Sequence, residues 1–376
     1  MAARSGACGR GSGRGARSAR LALLAAAMAG SVARADDQVF VPYRYVDPAA
    51  GIEAFRLLVP KGWKVQGAIT WSANPALPAQ SRFCFHDPAS AAEMNLFPTQ
   101  SYFWTDNRLF LGTNPPGTLR FGTLVAEPVD LRTAFQRIVL PGARKGVAGL
   151  GVVREAKVPE LAEIARGPPT PGVRASADAG RVRVEYMEGG KAMEEEFFAA
   201  VSHFAMDQPG STLSGPSFID YWYVDDVFSF RAEKGRLDGR SRIFQTMIYS
   251  LKVNPRWFAK VVHVKEELAQ QAIRGIHAVG RIGESVARAG SEMRQEQMRD
   301  WQRRQDVQDR IARNFSDNIR GVDRFYDPHA EKEVELPTGY GMAWANDLGE
   351  YVVTDNPSFN PNVGSNLHWE PMKPVR

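Results

Sequence analysis

The residues around Gly189-Gly190 constrain the fold more than any other part of this chain. From Arg181 to Tyr186 apolar and charged residues alternate, which is the period of a strand with one buried face. Gly189-Gly190 then provides a two-residue turn of the kind that tight hairpins prefer. Phe197 and Phe198 continue the pattern on the return strand. The segment therefore predicts a long antiparallel hairpin, and with it a sheet.

The rest of residues 36-253 predicts more strands and a few short helices. The segment 218–230 is apolar on both faces and is expected to lie centrally in its sheet. Asp130 and Asp238 are suitable N-caps for helices with one apolar face. Strands with helices interspersed predict an α+β fold, with a mainly antiparallel sheet and packed helices. The acidic run Glu194-Glu195-Glu196 is interpreted as an exposed device on a sheet edge.

A different pattern begins at Asn254-Pro255, a good N-cap followed by proline at the first helical position. No proline follows until Pro328, and apolar residues recur at helical spacing. Residues 254-320 therefore predict a long amphipathic helix of up to about 60 residues, roughly 90 Å. A helical hairpin folded near Gly290 is the alternative, because several glycines weaken a single helix. The apolar stripe would pack on the α+β domain or on a second copy, as a homodimer.

The last segment, 321-376, is rich in turns and aromatic residues. Rigid aromatic side chains are common anchors at binding surfaces, so they are candidate binding residues on a concave face. The alternative is that they form the core of a small cap with β and loop structure. The residues concerned are Tyr340, Trp344, Tyr351, Phe359 and Trp369.

The first 35 residues have the pattern of a cleavable signal peptide. Five arginines precede the apolar run Leu21–Met28, and Ala33-Arg34-Ala35 forms an A-x-A cleavage site. Cleavage removes six of the 47 basic residues and none of the 42 acidic ones, which leaves 41 against 42. The charge argument for a nucleic-acid partner therefore disappears. No other stretch is long and apolar enough for a membrane span, so we expect an exported protein, periplasmic or extracellular.

Motifs for chemistry are sparse. No metal-ligand spacing, phosphate loop, dinucleotide fingerprint or nucleophile elbow is found, and no cofactor is expected. The best constellation is Asp220, Asp225 and Asp226 around an aromatic run. Paired carboxylates serve as general acid and base, or bind calcium. Aspartates serve equally well in a turn at a strand end.

Two parts of the chain resemble known families. The motif Val59-Pro60-Lys61-Gly62-Trp63, with Trp71 and the segment 228–251, resembles the PsbP-like α+β fold, which implies a binding or assembly module. The last 75 residues resemble a family of uncharacterised exported bacterial proteins, and that resemblance implies no activity. Its matching residues are 304–310, Glu335-Leu336-Pro337-Thr338-Gly339-Tyr340, Trp344, Gly349-Glu350-Tyr351, Asp355, Asn360-Pro361-Asn362 and Trp369.

These observations leave three hypotheses open. The leading one is an exported, non-catalytic binding or assembly module for a protein or small-molecule ligand. The second is an exported hydrolase that uses carboxylates near Asp220–Asp226. The third is a structural coiled-coil dimer formed through the long helix.

Overall fold

Strands dominate the structure, a computed structural model. It describes residues 38–120, 122–167, 171–209, 215–276, 322–337, 340–363 and 367–375. The strands are β1 Gln38–Asp47, β2 Ile52–Pro60, β3 Lys64–Trp71, β4 Ala79–His86, β5 Glu93–Leu96, β6 Gln100–Thr105, β7 Leu119–Arg120, β8 Thr123–Val125, β9 Gly151–Lys157, β10 Arg174–Glu188, β11 Lys191–Gln208, β12 Ser217–Glu233, β13 Lys252–Val253, β14 Val322–Asp327, β15 Lys332–Pro337, β16 Met342–Asn346, β17 Tyr351–Thr354, β18 Trp369–Pro371 and β19 Lys373–Pro374.

The described helices are few. They are α1 Arg108–Thr113, α2 Leu131–Ala134, α3 Leu140–Ala143, α4 Pro159–Arg166, α5 Ser241–Tyr249 and α6 Pro255–Ile276. A π-helical turn, Phe135–Val139, joins α2 to α3, and a 3₁₀ turn, Asp238–Arg240, precedes α5.

The α+β prediction is wrong, because the described chain is mostly β. Nineteen described strands form three sheets, whereas the described helices other than α6 have at most nine residues. The long helix or helical hairpin predicted for 254-320 is not found among the described residues either. Helix α6 is their longest, with 22 residues, while residues 277–321 lie outside the described part. The predicted signal peptide also lies outside it.

The largest sheet has the strand order β3-β4-β5-β12-β11-β10-β9, with β6 to β8 attached beside β12. Its centre is the predicted hairpin, in which β10 and β11 pair from Arg174↔Ala205 to Glu188↔Lys191. Gly189 and Gly190 have φ values of 57° and 78°, the left-handed pair that a type I′ turn requires. The hairpin prediction is confirmed.

Both faces of this sheet are covered. On one face Val182, Val184, Phe197 and Trp222 form a core with the helical segment 131–143. On the opposite face α4 packs through small side chains, and Phe83, Phe85 and Met94 form a second core with β2 and α5. Strand β12 is therefore buried on both faces, as its sequence predicts.

A second sheet joins the two ends of the described chain. Its order is β13-β2-β1-β17-β16-β18, and β1 pairs with β17 through Gln38↔Val353 and Phe40↔Tyr351. The small sheet β15-β14-β19 covers it through a core that includes Phe40. Residues from the predicted last segment thus complete a sheet begun at residue 38.

The acidic run Glu194-Glu195-Glu196 is buried, and the interpretation as an exposed edge is wrong. Strand β11 lies between β10 and β12, and the exposed fractions of the three residues are 7%, 0% and 7%. Arg144 donates two hydrogen bonds of 2.7 Å to Glu195, and Tyr186 donates another of 2.8 Å. Buried carboxylates are tolerated when they are paired and hydrogen-bonded in this way.

Candidate functional site

The candidate aspartates Asp225 and Asp226 lie at a β-bulge in β12. Phe198 pairs with Phe228 and Ala200 with Asp225, so β12 has one residue more than β11 between these pairs. Asp226 has a φ of 49°, which is uncommon outside glycine. At the same point β12 changes partner from β6 to β5. Bulges often redirect side chains beside functional sites, and both aspartates at this one line a cavity.

The cavity lies between the bulged part of the large sheet and helices α4 and α5. Its volume is about 540 Å³, within the range of small-molecule sites, about 300 to 1,000 Å³. We call it the aromatic cavity. Its apolar lining consists of Leu96, Phe97, Val158, Leu161, Ile164, Val227, Phe198, Phe228, Phe230, Leu237, Phe244, Ile248, Tyr249 and Leu251.

Packed phenylalanine rings hold the floor of this cavity in place. Phe198 stacks on Phe228 with ring centroids 4.7 Å apart, and Phe230 stacks on Phe244 at 4.8 Å. The Phe198 and Phe230 rings meet edge to face at 5.7 Å. Such pairs stabilise one another beyond the area they bury, so the surface offered to a ligand is already ordered.

One end of the aromatic cavity is an ion-pair cluster. Arg183 donates hydrogen bonds of 2.6 and 3.0 Å to Asp238, and Glu196 lies 3.5 Å from both Arg181 and Arg183. The hydrogen bonds with Asp238 raise the pKa of Arg183 and lower that of Asp238. Each charge in the cluster has an opposite charge beside it, so this end is close to neutral.

Asp225 provides the other polar end and has different partners. The Thr99 hydroxyl donates a 2.7 Å hydrogen bond to Asp225 Oδ1, and the Asp226 N–H donates one of 2.8 Å to the same oxygen. Within the described ranges Asp225 forms no ion pair, and Oδ2 has no hydrogen-bond partner. A half-buried carboxylate beside aromatic rings favours a hydrogen-bond donor or a cation as its partner.

Asp220, the third candidate aspartate, belongs to a different site. Its Oδ2 lies 2.9 Å from Nδ1 of His203, and its Oδ1 accepts a 3.1 Å hydrogen bond from the Phe204 N–H. The ring of His203 stacks beside Trp222. Asp220 and Asp225 lie five residues apart in a continuous register and therefore on opposite faces of β12, so the predicted constellation of three is divided between two places.

Trp344 and Tyr351, two of the five aromatic residues predicted to bind, do not share one face. Tyr351 is opposite Ala345 and Trp344 is opposite Val352, so the two side chains point to opposite faces of the sheet. Tyr351 is buried and donates a 2.7 Å hydrogen bond to Asp327. Burial, together with this hydrogen bond, raises the pKa of Tyr351.

The other three are Tyr340, Phe359 and Trp369, of which Phe359 is half-buried. Trp369 is buried, and its backbone N–H donates a hydrogen bond to Asn362. Tyr340 is half-buried beneath the guanidinium group of Arg242, 5.6 Å from the ring centre. Their role in binding stays a prediction.

Sequence reasoning did not identify the aromatic cavity or the His203–Asp220 pair. Asp238 was predicted as a helix cap, yet its carboxylate binds Arg183, which is 55 positions away. The sequence contained one signal of the ion-pair cluster, namely Arg181 and Arg183, which alternate with core residues on β10. Within the described ranges no cluster of three or more His, Cys, Asp or Glu residues has the geometry of a metal site.

Comparison with known proteins finds few that are similar to this chain. No family model matches the sequence, and no curated protein matches it. One solved structure that the chain matches is the LpqN protein of Mycobacterium tuberculosis, described as involved in cell envelope biogenesis. It is 12% identical with a TM-score of 0.22, and the match covers 58% of this chain and 92% of that one. A similarity at this level carries no argument about function. Among the described helices none is long and apolar enough to cross a membrane.

Proposed function

We propose that this protein is an exported, non-catalytic binding module whose aromatic cavity takes an amphipathic ligand. The observation that carries the proposal is the combination of an ordered aromatic floor with Asp225, whose Oδ2 faces no protein donor in the described structure. The apolar body of the ligand would lie on the phenylalanine rings. A donor or cationic group at its end would reach Asp225. Export is supported by the arginine-rich, apolar N-terminal pattern that ends at Ala35.

A displacement assay tests this proposal. The fluorescent amine N-phenyl-1-naphthylamine is bound to the purified protein and then displaced by dodecylamine or by dodecanoate. We expect dodecylamine to displace the probe at a lower concentration than dodecanoate does, because the Asp225 carboxylate attracts the ammonium group of dodecylamine and repels the carboxylate of dodecanoate. The preference should be lost in Asp225→Asn.

A cavity-filling variant provides the control for location. Ile164 lines the aromatic cavity from α4, and Ile164→Trp should abolish probe binding by occupying the volume. Leu109 is 56% exposed on α1 and lies outside the cavity lining, so Leu109→Trp should bind as the wild type does. Equal binding by Ile164→Trp and the wild type would contradict the proposal.

The His203–Asp220 pair favours a second candidate function, hydrolysis. A carboxylate on Nδ1 orients the imidazole and leaves Nε2 for general-base catalysis. Ser176 lies directly opposite His203 in the register of β10 and β11 and is exposed. This candidate predicts that p-nitrophenyl acetate is hydrolysed by the wild type and not by His203→Gln, with a reduced rate in Asp220→Asn. Equal rates in all three proteins would exclude it.

A further inference from the structure

The carboxylate of the aromatic cavity and two of its phenylalanine rings lie on one face of the large sheet. Asp225 is directly opposite Ala200 in the register of β11 and β12. Phe198 is directly opposite Phe228 in the same register. Directly opposite residues point to the same face, and so do residues two positions apart on one strand. Because Ala200 and Phe198 are two positions apart, Asp225 lies beside the stacked pair of rings, about 7 Å away along the strands.

The Asp225 carboxylate is held in place by the backbone and by Thr99. Its Oδ1 accepts two hydrogen bonds, from the Thr99 hydroxyl and from the Asp226 N–H, and Oδ2 accepts none from the described residues. A primary ammonium group has three N–H donors, and each of them loses water in a cavity. The rings beside Asp225 offer no oxygen or nitrogen acceptor. A primary ammonium between Asp225 and the rings therefore gives up hydrogen bonds on the sides that meet the rings.

The charged lining of the cavity favours a cation. In the described structure three cations and five carboxylates line it, namely Lys157, Arg181 and Arg183 with Glu160, Glu196, Asp225, Asp226 and Asp238. Lys157 is also paired with Asp178, which lies outside the lining. The carboxylates therefore exceed the cations, and a lining of one predominant sign attracts ligands of the opposite sign.

We propose that the ligand of the aromatic cavity carries a quaternary ammonium head group, of which trimethylammonium is the simplest case. This inference rests on the proposed function and narrows it to one class of cation. A quaternary ammonium has no N–H to desolvate, and aromatic faces attract such cations within about 6 Å of the ring centre. Phe230 meets Phe198 and Phe228 at interplanar angles of 65° and 58°, so the rings line the cavity in two directions. The methyl groups contact the rings, and the Asp225 carboxylate balances the charge.

The displacement assay with N-phenyl-1-naphthylamine tests this inference when dodecyltrimethylammonium is compared with dodecylamine, both below their critical micelle concentrations. The two compounds have the same chain and the same charge and differ in the head group. We expect dodecyltrimethylammonium to displace the probe at an about tenfold lower concentration, the factor that a partly desolvated cation–π contact provides.

Two variants separate the rings from the apolar area of the methyl groups. Phe198→Leu and Phe228→Leu each keep an apolar side chain and remove one ring, so the preference for the quaternary head group should fall to about threefold or less in at least one of them. A preference that came from the methyl groups alone would survive in both. Phe110→Leu is the matched control, because Phe110 packs on Phe103 from α1 and lies outside the cavity lining. It should keep the preference of the wild type.

The outcomes distinguish this inference from the proposed function. Equal displacement by the two cations overturns the quaternary head group and leaves the proposed function in place, and so does a preference that survives in both ring variants or falls equally in Phe110→Leu. If dodecanoate displaces the probe as well as either cation, the proposed function itself is contradicted. Unchanged circular dichroism shows that each variant is folded.

Choline and dioctanoylphosphatidylcholine distinguish two sources of the head group in the same assay. Displacement by choline at the lower concentration indicates a small soluble compound. Displacement by dioctanoylphosphatidylcholine at the lower concentration indicates the head group of a lipid.

Discussion

Loss of Arg144 should destabilise this protein more than loss of both members of its buried ion pair. The exposed fractions of the Arg144 and Glu195 side chains are 5% and 0%, so water cannot replace a missing partner. Glu195 accepts two hydrogen bonds from Arg144, one from Tyr186 and one of 2.5 Å from Ser229. Arg144→Met keeps most of the aliphatic stem but leaves a buried carboxylate with two neutral donors. Breaking a buried pair in this way costs about 3 to 5 kcal/mol.

The double variant Arg144→Met, Glu195→Gln removes the uncompensated charge. Tyr186 and Ser229 donate to different oxygens of Glu195. In glutamine the carbonyl oxygen accepts from one hydroxyl and the amide N–H donates to the oxygen of the other, so we expect a total cost of about 1 to 3 kcal/mol from the lost hydrogen bonds alone. The double variant should therefore be more stable than the single variant Arg144→Met. Urea unfolding followed by tryptophan fluorescence measures each free energy, and an unchanged m-value supports the comparison.

A matched surface pair provides the control. Arg174 and Asp207 also form an ion pair, but their side chains are 61% and 75% exposed, and such pairs contribute little. Arg174→Met should therefore leave the unfolding midpoint unchanged. The reasoning is refuted if Arg144→Met costs less than about 1 kcal/mol, or if adding Glu195→Gln destabilises the protein further.

Three further changes have expected outcomes. Burial raises the pKa of Tyr351, so above pH about 10 this tyrosine ionises in the unfolded chain before it does in the folded protein, and stability falls as the pH rises further. Tyr351→Phe should flatten that fall and should cost about 1 to 3 kcal/mol of unfolding free energy at pH 7. Urea unfolding at several pH values measures both effects. Trp257 donates a 2.7 Å hydrogen bond to the buried Asp47, so Trp257→Phe should lower the free energy of unfolding by about 1 to 2 kcal/mol. In a protein that already carries Asp47→Asn, Trp257→Phe should cost less, because the carboxylate charge that strengthens the hydrogen bond is gone. A Cβ at Gly67, whose φ is 144°, would lie 2.2 Å from a carbonyl oxygen of β4, so Gly67→Ala should lower the melting temperature sharply. Gly112 has open space where its Cβ would lie, so Gly112→Ala should leave the melting temperature nearly unchanged.

Features that depend on neighbouring residues were predictable from the sequence. The hairpin at Gly189-Gly190 is the clearest case, because its alternation and its turn chemistry act within a few residues. The double burial of β12 followed in the same way from an apolar run without alternation. In both cases the deciding interactions are local, or are general to any buried strand.

Features that depend on distant partners were not predictable. The run Glu194-Glu195-Glu196 has the composition of an exposed edge, and the side chain that makes burial possible for Glu195 is Arg144, 51 positions earlier. A single sequence does not show which distant cation meets which carboxylate. The fold class was missed for a related reason: strands of the last segment join sheets with distant partners, as β17 does with β1.

The candidate aspartates show how one backbone irregularity changes a site. In a regular strand Asp220 and Asp226 would share a face, because side chains alternate with a period of two. The bulge between Asp225 and Phe228 adds one residue, which reverses the alternation beyond it. Asp220 meets His203 on one face, and Asp225 lies on the other face by regular alternation. The bulge accounts for Asp226, which lines the aromatic cavity beside Asp225 and not the face of Asp220.

Strand β1 explains why Tyr351 of the last segment is buried. It lies between β2 and β17, so without it both neighbours would expose unpaired backbone groups at a sheet edge. Pairing with β17 places Tyr351 in the core shared with Phe40. The first paired residue, Gln38, follows the predicted cleavage site by three positions. Cleavage after Ala35 would leave β1 whole, so the predicted export and the closure of this sheet are compatible.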